Sequence, residues 1–278
     1  MSNGRLCLQH TDQRRSQLRR IVVVATALAV LMAAASAFAA TGGLNSYTAT
    51  LKFSPNKKST AIGFTQKFVA DGTGGNRTAP LTNIKTVIYG MKSDGKDFPT
   101  CSAAKIAAAG DDTGCPKGAL VGTGSITATL GPSSDQSMTA PGQLPCNPLL
   151  DVWNAGPGKV VYFFVDKGSH TCANGAIQTG GVAPFTGTTK TVGKNLVMNT
   201  PIPSYVSFPL AGVEGSLTSE TLNWKNLSTK LKNGKTARYG YSVACKGGKR
   251  PYSVTFTAET GPGGTPDTQT VTGTQKCS

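Results

Sequence analysis

The feature of this sequence that most constrains its fold is a succession of short segments in which apolar and polar residues alternate. Residues 44–53 place every second side chain, from Tyr47 to Phe53, on one apolar face, which is typical of a half-buried strand. Similar strand-like segments, separated by turns rich in Gly, Pro, Asn and Lys, cover residues 62–72, 84–89, 119–130, 149–153, 160–165, 183–192, 196–201, 217–227, 239–245, 252–259 and 268–276. The sequence therefore predicts an all-β fold, a β-sandwich or jelly-roll-like body.

One short helix is predicted to interrupt this pattern, between Cys101 and Cys115. Residues 103–109 are rich in alanine, Ser102 is suited to cap the N terminus, and Gly110 is suited to end the helix in a left-handed conformation. Strand-like sequence lies on both sides, so we expect a disulfide-clamped helix that joins two strands.

Residues 1–39 have the organisation of a signal peptide. Five arginines precede the uncharged apolar segment 21–35, and residues 37–39 (Ala-Phe-Ala) match a small-x-small cleavage site. The apolar segment is shorter than the roughly 20 residues that a membrane span needs, so a cleaved leader is favoured over an anchor. Arg14 and Arg15 partly match a twin-arginine signal, but a disulfide-bearing chain more naturally folds after Sec-type export. We expect residues 40–278 to form a single large β-sandwich domain, with a subdivision near residue 140 as the alternative.

The cysteines support export. The chain has seven, of which Cys7 precedes the apolar segment and is expected to be removed with the leader. The six others form an even set, as expected of disulfides in an exported chain. Closure between neighbours in the sequence is favoured, which pairs Cys101 with Cys115, Cys146 with Cys172 and Cys245 with Cys277. The spacing does not match a zinc site, and no metal or cofactor is predicted.

The helical clamp and its flanks resemble a known group of proteins. The matching residues are Pro99, Cys101, Cys115, Pro116, Gly118, Val121, Gly122 and Gly124. This pattern, with a C-terminal cysteine pair such as Cys245 and Cys277, is similar to a family of uncharacterised secreted β-proteins of actinobacteria, over most of the chain after the leader. That family has no assigned activity or ligand, so the resemblance implies a secreted β-protein and leaves the function open.

The chain is basic, with a net charge of +15, and its basic residues concentrate between 225 and 250. Such a surface attracts anionic polymers, although lysines also protect sheet edges from pairing. No nucleic-acid motif accompanies the charge, so no specific nucleic-acid partner is expected. The candidate ligand-binding residues are Lys230, Lys232, Tyr239 and Tyr241; the two tyrosines are predicted to be an exposed pair on one strand face.

Catalytic candidates are few. His170 is the only histidine after the leader, and no Gly-x-Ser-x-Gly elbow accompanies it. Asp151 and Asp166 bracket the most apolar hairpin and are the one candidate carboxylate pair for glycoside hydrolysis. The other acidic residues lie mostly in turn-like sequence, which explains them without catalysis or Ca²⁺ binding.

The sequence thus predicts a secreted or cell-envelope-associated, non-enzymatic β-protein with a structural or adhesive role and no integral membrane segment after the leader. The alternative is a module that binds cell-wall polysaccharide or another anionic envelope polymer. A glycoside hydrolase is the third and less favoured hypothesis.

Overall fold

Strands dominate the computed structural model, which describes residues 43–165 and 183–278. These residues contain the strands β1 (Asn45–Ser54), β2 (Gly63–Gly72), β3 (Leu81–Tyr89), β4 (Met91–Ser93), β5 (Leu120–Pro132), β6 (Leu144–Pro145), β7 (Leu149–Asn154), β8 (Lys159–Val165), β9 (Phe185–Val192), β10 (Asn195–Pro201), β11 (Val213–Trp224), β12 (Ser228–Lys230), β13 (Thr236–Arg238), β14 (Gly240–Ser242), β15 (Lys249–Ala258) and β16 (Asp267–Lys276). The predicted all-β fold is confirmed.

Among the residues that the structure describes, two short α-helices accompany the strands, α1 (Ala103–Ala109) and α2 (Ser204–Ser207). The predicted capping of α1 is confirmed, because Ser102 Oγ accepts a hydrogen bond from the Lys105 amide and Gly110 ends the helix with φ of 73°. Single 3-10 turns lie at Thr73–Gly75 and Lys117–Ala119. Within the described residues, no helix has the length and apolar character that a membrane crossing requires.

Most strands belong to one antiparallel sheet. Its order is β1-β2-β11-β5-β7-β8-β9-β10-β3-β15-β16, and β6 pairs with β5 beside this path. Two small additional sheets pair β12 with β13 and β4 with β14. Strands from both sides of residue 140 therefore share one sheet, since β5 pairs with both β7 and β11. The finer sandwich or jelly-roll form is not specifically confirmed by this order.

The large sheet curls until its first and last strands meet. β1 and β16 are joined by bonds between side chains and backbone: the Leu44 amide donates to Asp267 Oδ2 over 2.8 Å, and the Phe53 amide donates to Gln275 Oε1 over 2.6 Å. The inner faces then enclose one apolar core, in which the Tyr47 and Phe256 rings stack with centroids 4.3 Å apart. Alternation along each strand directs one set of side chains into this core.

The hairpin of β7 and β8 is buried on both faces, which explains why it is the most apolar segment of the described chain. Its inner face, including Val152 and Tyr162, joins the main core. Its outer face, including Trp153 and Phe163, is covered by the clamp around α1, where Ile106 is buried. Trp153 is thus buried between the hairpin and the residues around α1.

The disulfides Cys101–Cys115 and Cys245–Cys277 are present as predicted. Cys146 is also disulfide-bonded, while its predicted partner, Cys172, lies outside the described residues. The first disulfide closes the clamp around α1, and the second fastens the end of β16 to the segment that follows β14.

A buried arginine lies beside the second disulfide. Arg250 is fully buried, and its guanidinium donates hydrogen bonds to the backbone oxygens of Tyr89 and Gly90, to Asn56 Oδ1 and to Ser242 Oγ, over 2.5–2.9 Å. It also contacts Cys277 Sγ over 3.2 Å and lies over the Phe53 ring. Neutral acceptors therefore satisfy this cation.

Candidate ligand cavity

An apolar cavity of about 90 Å³ lies inside the curled sheet, at the end opposite Arg250. Strands β3, β5, β7, β8, β9, β10 and β11 and helix α2 contribute its walls. The apolar side chains that line it include Leu81, Ile84, Ile126, Ala128, Leu130, Leu150, Phe164, Phe185, Ile202, Val206 and Leu217. This space is a departure from the close packing of protein interiors.

The cavity reaches the protein surface. Six of its apolar side chains are only partly buried, in contrast to the closed core: Ile126, Ala128, Phe164, Ile202, Val206 and Leu217. A molecule entering there replaces contact between these side chains and water with apolar contact, which is favourable at about 25 cal/mol per Å² of buried surface. The site is therefore an open apolar pocket rather than a sealed void.

A β-bulge in β11 shapes the wall. The register between β11 and β5 shifts between Leu217 and Ser219, so that the inward face changes from odd to even positions along the strand. Leu217 and Glu220, which strict alternation would place on opposite faces, both line the cavity. The bulge thus brings a carboxyl group into an apolar wall.

Glu220 lies at the end of a buried chain of hydrogen bonds. The Trp224 indole N–H donates to Gln66 Oε1 over 3.1 Å, and Gln66 Nε2 donates to Glu220 Oε1. Because an indole nitrogen only donates, this chain fixes the orientation of the Gln66 amide. Glu220 is 7% exposed and lines the cavity, which makes its carboxyl the principal polar group of the wall.

Burial raises the pKa of Glu220 to about 7, and the hydrogen bond from Gln66 partly opposes that rise. The ionised form is disfavoured because the surroundings solvate a charge poorly. Glu220 is therefore available in neutral and ionised forms near neutral pH, so it can donate a hydrogen bond in the first form and accept one in the second.

Three hydroxyl groups complete the polar part of the wall, and that of Ser207 donates to the Leu81 backbone oxygen over 2.5 Å. Tyr162 Oη and Thr200 Oγ1 lie 2.9 Å apart and hydrogen-bond each other. Burial raises the pKa of Tyr162 well above its ordinary value, and the proximity of Glu220 adds to that rise. Tyr162 therefore remains a neutral hydroxyl throughout the physiological range.

The structure corrects the predicted tyrosine pair. Tyr239 precedes the three-residue strand β14 and is 6% exposed, with its ring edge-on to Phe98 at a centroid distance of 5.7 Å. It belongs to the core, so the prediction of an exposed pair is wrong. Tyr241 is partly exposed and lines a concave surface of about 180 Å³ with Lys96, Arg238 and the acidic Asp94 and Asp97.

The candidate lysines lie on the small hairpin of β12 and β13. Lys230 ends β12, Lys232 lies in the following turn, and both side chains are exposed. Neither lines the concave surface beside Tyr241. The four candidate ligand-binding residues are thus not one site, since one is buried, one lines the concave surface and two are on the hairpin.

Of the candidate catalytic residues, only Asp151 lies in the part of the chain that the structure describes. Asp151 lies in β7 and is half-buried, whereas Asp166 and His170 lie outside the described residues. In the described part of the chain, no three His, Cys, Asp or Glu side chains cluster in a way that would hold a metal ion. Asp111 and Asp112 have the structural roles expected of turn residues: Asp111 accepts from Thr113, and Asp112 accepts from the Trp153 indole over 3.0 Å.

Sequence reasoning missed Glu220. The signal was present, because Glu220 shares its strand face with Leu222 and Trp224, and a carboxyl on an apolar face requires a partner or a function. No protein-family model, curated protein or solved structure matches this chain.

Proposed function

We propose that this chain is an exported, non-enzymatic protein that holds a small apolar molecule in the cavity beside Glu220. The observation that carries the proposal is an open apolar pocket with one buried carboxyl in its wall. Ligand pockets commonly combine apolar walls with a few fixed polar groups. Here the Trp224–Gln66–Glu220 chain supplies that fixed polar group.

Export is supported by the leader-like residues 1–39 and by the disulfides, which are characteristic of oxidising compartments. The non-enzymatic part of the proposal follows from the sequence, which offers no catalytic motif. If the cavity binds no ligand, the function indicated by the sequence, a structural or adhesive role, replaces the ligand-binding function.

The size of the cavity limits the ligand. An apolar cavity of about 150 Å³ accommodates benzene, so the enclosed 90 Å³ here suits a shorter or thinner apolar group, with the rest of the molecule extending through the open side. A linear chain of about eight carbons fits this description. Burial of several methylenes at about 0.8 kcal/mol each predicts a Kd of roughly 0.1–1 mM.

Calorimetric titration of the protein with 1-octanol tests the proposal. Wild type is expected to bind, and Ala128→Phe, which fills the cavity from β5, is expected to weaken binding at least about tenfold. Thr127→Phe is the matched control, because Thr127 is the adjacent residue on the same strand and its side chain is exposed on the opposite face. Equal binding by wild type and Ala128→Phe, or no binding by wild type, would contradict the proposal.

A second candidate function is binding of a cell-wall polysaccharide or another anionic envelope polymer. The observation that favours it is the concave surface where Lys96 and Arg238 lie with the partly exposed Tyr241. Retention on purified cell wall is expected to fall for Tyr241→Ala and to be reduced by salt. The control is Lys230→Ala, which removes a charge outside this surface; an equal loss in both variants would indicate non-specific attraction.

A further inference from the structure

The direction of the hydrogen-bond chain determines which oxygen of Glu220 is available to a ligand. Trp224 donates to Gln66, so Gln66 must donate to Glu220, and Oε1 is occupied as an acceptor. No other group in the described residues hydrogen-bonds the Glu220 carboxyl. When the carboxyl is neutral, its proton is therefore on Oε2 and can be donated to a molecule in the cavity.

The surroundings of this carboxyl disfavour an anionic ligand. Among the described lining residues there is no Lys, Arg or His, and the titratable ones are Glu220 and Tyr162. The groups facing Glu220 from β2 and β8 are the Gln66 amide and the neutral Tyr162 hydroxyl. A carboxylate placed there would lose its hydration without gaining a cation.

We propose, building on the apolar-ligand function above, that the cavity selects an uncharged amphiphile whose carbonyl or ether oxygen accepts a hydrogen bond from Glu220 Oε2, and that it discriminates against fatty-acid anions. The apolar part of the ligand then lies along Ile126 and Leu217 toward the open side. A hydrogen bond from Glu220 to a ligand that can only accept requires the neutral form of Glu220.

The probe that isolates this requirement is 2-octanone, since its carbonyl accepts hydrogen bonds and cannot donate them. Calorimetry is done at pH 6 and pH 8.5, which lie on either side of the Glu220 titration, with its pKa at about 7. We expect the wild-type Kd for 2-octanone to rise about tenfold between the two values, because a carboxylate offers no donor. Octanoate is expected to bind at least about tenfold more weakly than 2-octanone at pH 6.

Two variants separate the hydrogen bond from other effects of pH. Glu220→Gln keeps an N–H donor that does not titrate, so its 2-octanone affinity is expected to change less than about twofold across this range. Glu220→Leu removes the donor and is expected to bind at both values as weakly as wild type does at pH 8.5. Thermal unfolding of each variant checks that it is folded.

The outcomes distinguish this inference from the proposed function. Binding of 1-octanol together with pH-independent binding of 2-octanone by wild type, or unchanged affinity in Glu220→Leu, would overturn the inference and leave the apolar-ligand function in place. Octanoate affinity equal to that of 2-octanone would also overturn the inference. Failure of both 1-octanol and 2-octanone to bind wild type would overturn the proposed function itself.

Discussion

A buried ionisable side chain lies near each end of β3, Arg250 near one end and Glu220 near the other, and the two differ in how completely they are hydrogen-bonded. At Tyr89, the backbone oxygen helps to satisfy the Arg250 guanidinium, which is bonded to four acceptors and a sulfur. At Leu81, about 25 Å away along the strand, the wall of the cavity contains Glu220 with one hydrogen-bonded oxygen. The arginine end is closed and fully bonded, whereas the glutamate end is open and incompletely bonded.

This difference indicates that a buried polar group can have either a structural role, as for Arg250, or a role in ligand binding, as we propose for Glu220. A fully satisfied group rigidifies the fold, and Arg250 on β15 connects β3, β14 and Asn56, which follows β1. An incompletely satisfied group beside free space retains bonding capacity that a ligand can use.

Substitution of Arg250 is expected to have the largest effect. Arg250→Met removes the donor that Tyr89 O, Asn56 Oδ1 and Ser242 Oγ share, while Gly90 O keeps the backbone amides of Val243 and Ala244. We expect the free energy of unfolding to fall by about 4–5 kcal/mol. Lys249→Met is the matched control, because Lys249 is the exposed neighbour on β15, and should change stability by less than about 0.5 kcal/mol. Urea unfolding measures both, and equal effects would show that Arg250 does not fasten this end.

Removal of the C-terminal disulfide is expected to have the next largest effect. Cys245 and Cys277 are separated by 32 residues and Cys101 and Cys115 by 14, so loop entropy predicts losses of about 4 and about 3 kcal/mol, respectively, when each pair is replaced by alanine. Arg250 contacts Cys277 Sγ. The losses of stability caused by replacing Cys245 and Cys277 and by Arg250→Met should therefore not be additive. Additive effects in a double-mutant cycle would contradict that coupling.

The Glu220 end predicts a pH dependence of stability. The pKa of Glu220 is about 7 in the fold and about 4.3 when the chain is unfolded, so the folded state binds the extra proton between these values. Stability should therefore be highest at the acidic side of this window and fall by about 3 kcal/mol as pH rises through 7. Comparison of urea unfolding of wild type and Glu220→Gln from pH 5 to 8 isolates this contribution; parallel profiles would contradict it.

The smallest predicted effect concerns the hydrogen bond to Glu220. The bond from Gln66 lowers the pKa of Glu220, so Gln66→Leu should raise the midpoint of its titration by roughly half a unit to one unit. Thr65→Val is the control on the same strand, because Thr65 hydrogen-bonds Asn223 at an exposed position between β2 and β11. A midpoint that is unchanged in Gln66→Leu, or shifted equally in both variants, would exclude the proposed coupling.

Much of the fold was predictable because alternation and turn residues are local signals. The alternating segment 44–53 became β1, and Ser102 and Gly110 bound α1 as expected. The small strands β6, β12 and β13 were not predicted, because pairs and triplets of residues carry too little pattern. The meeting of β1 and β16 depends on residues more than 200 positions apart, such as Phe53 and Gln275.

The candidate site was largely not predictable. Tyr239 and Tyr241 have the spacing of one strand face, but β14 begins only at Gly240 and packing against Phe98 buries Tyr239. The cavity depends on the bulge between Leu217 and Ser219, which changes the face to which Glu220 belongs. A carboxyl on the apolar face of a strand can be recognised from the sequence, but the empty space beside it is a property of the packed sheet.

Titration of the Glu220 carboxyl by carbon-13 NMR, with and without saturating 2-octanone, tests the central claim most directly. We expect a midpoint near pH 7 in the free protein and a further rise when the ketone is bound, because the ligand binds the neutral form. A midpoint near the ordinary value for glutamate that 2-octanone does not change would contradict the claim that Glu220 is the ligand-binding carboxyl of an apolar cavity.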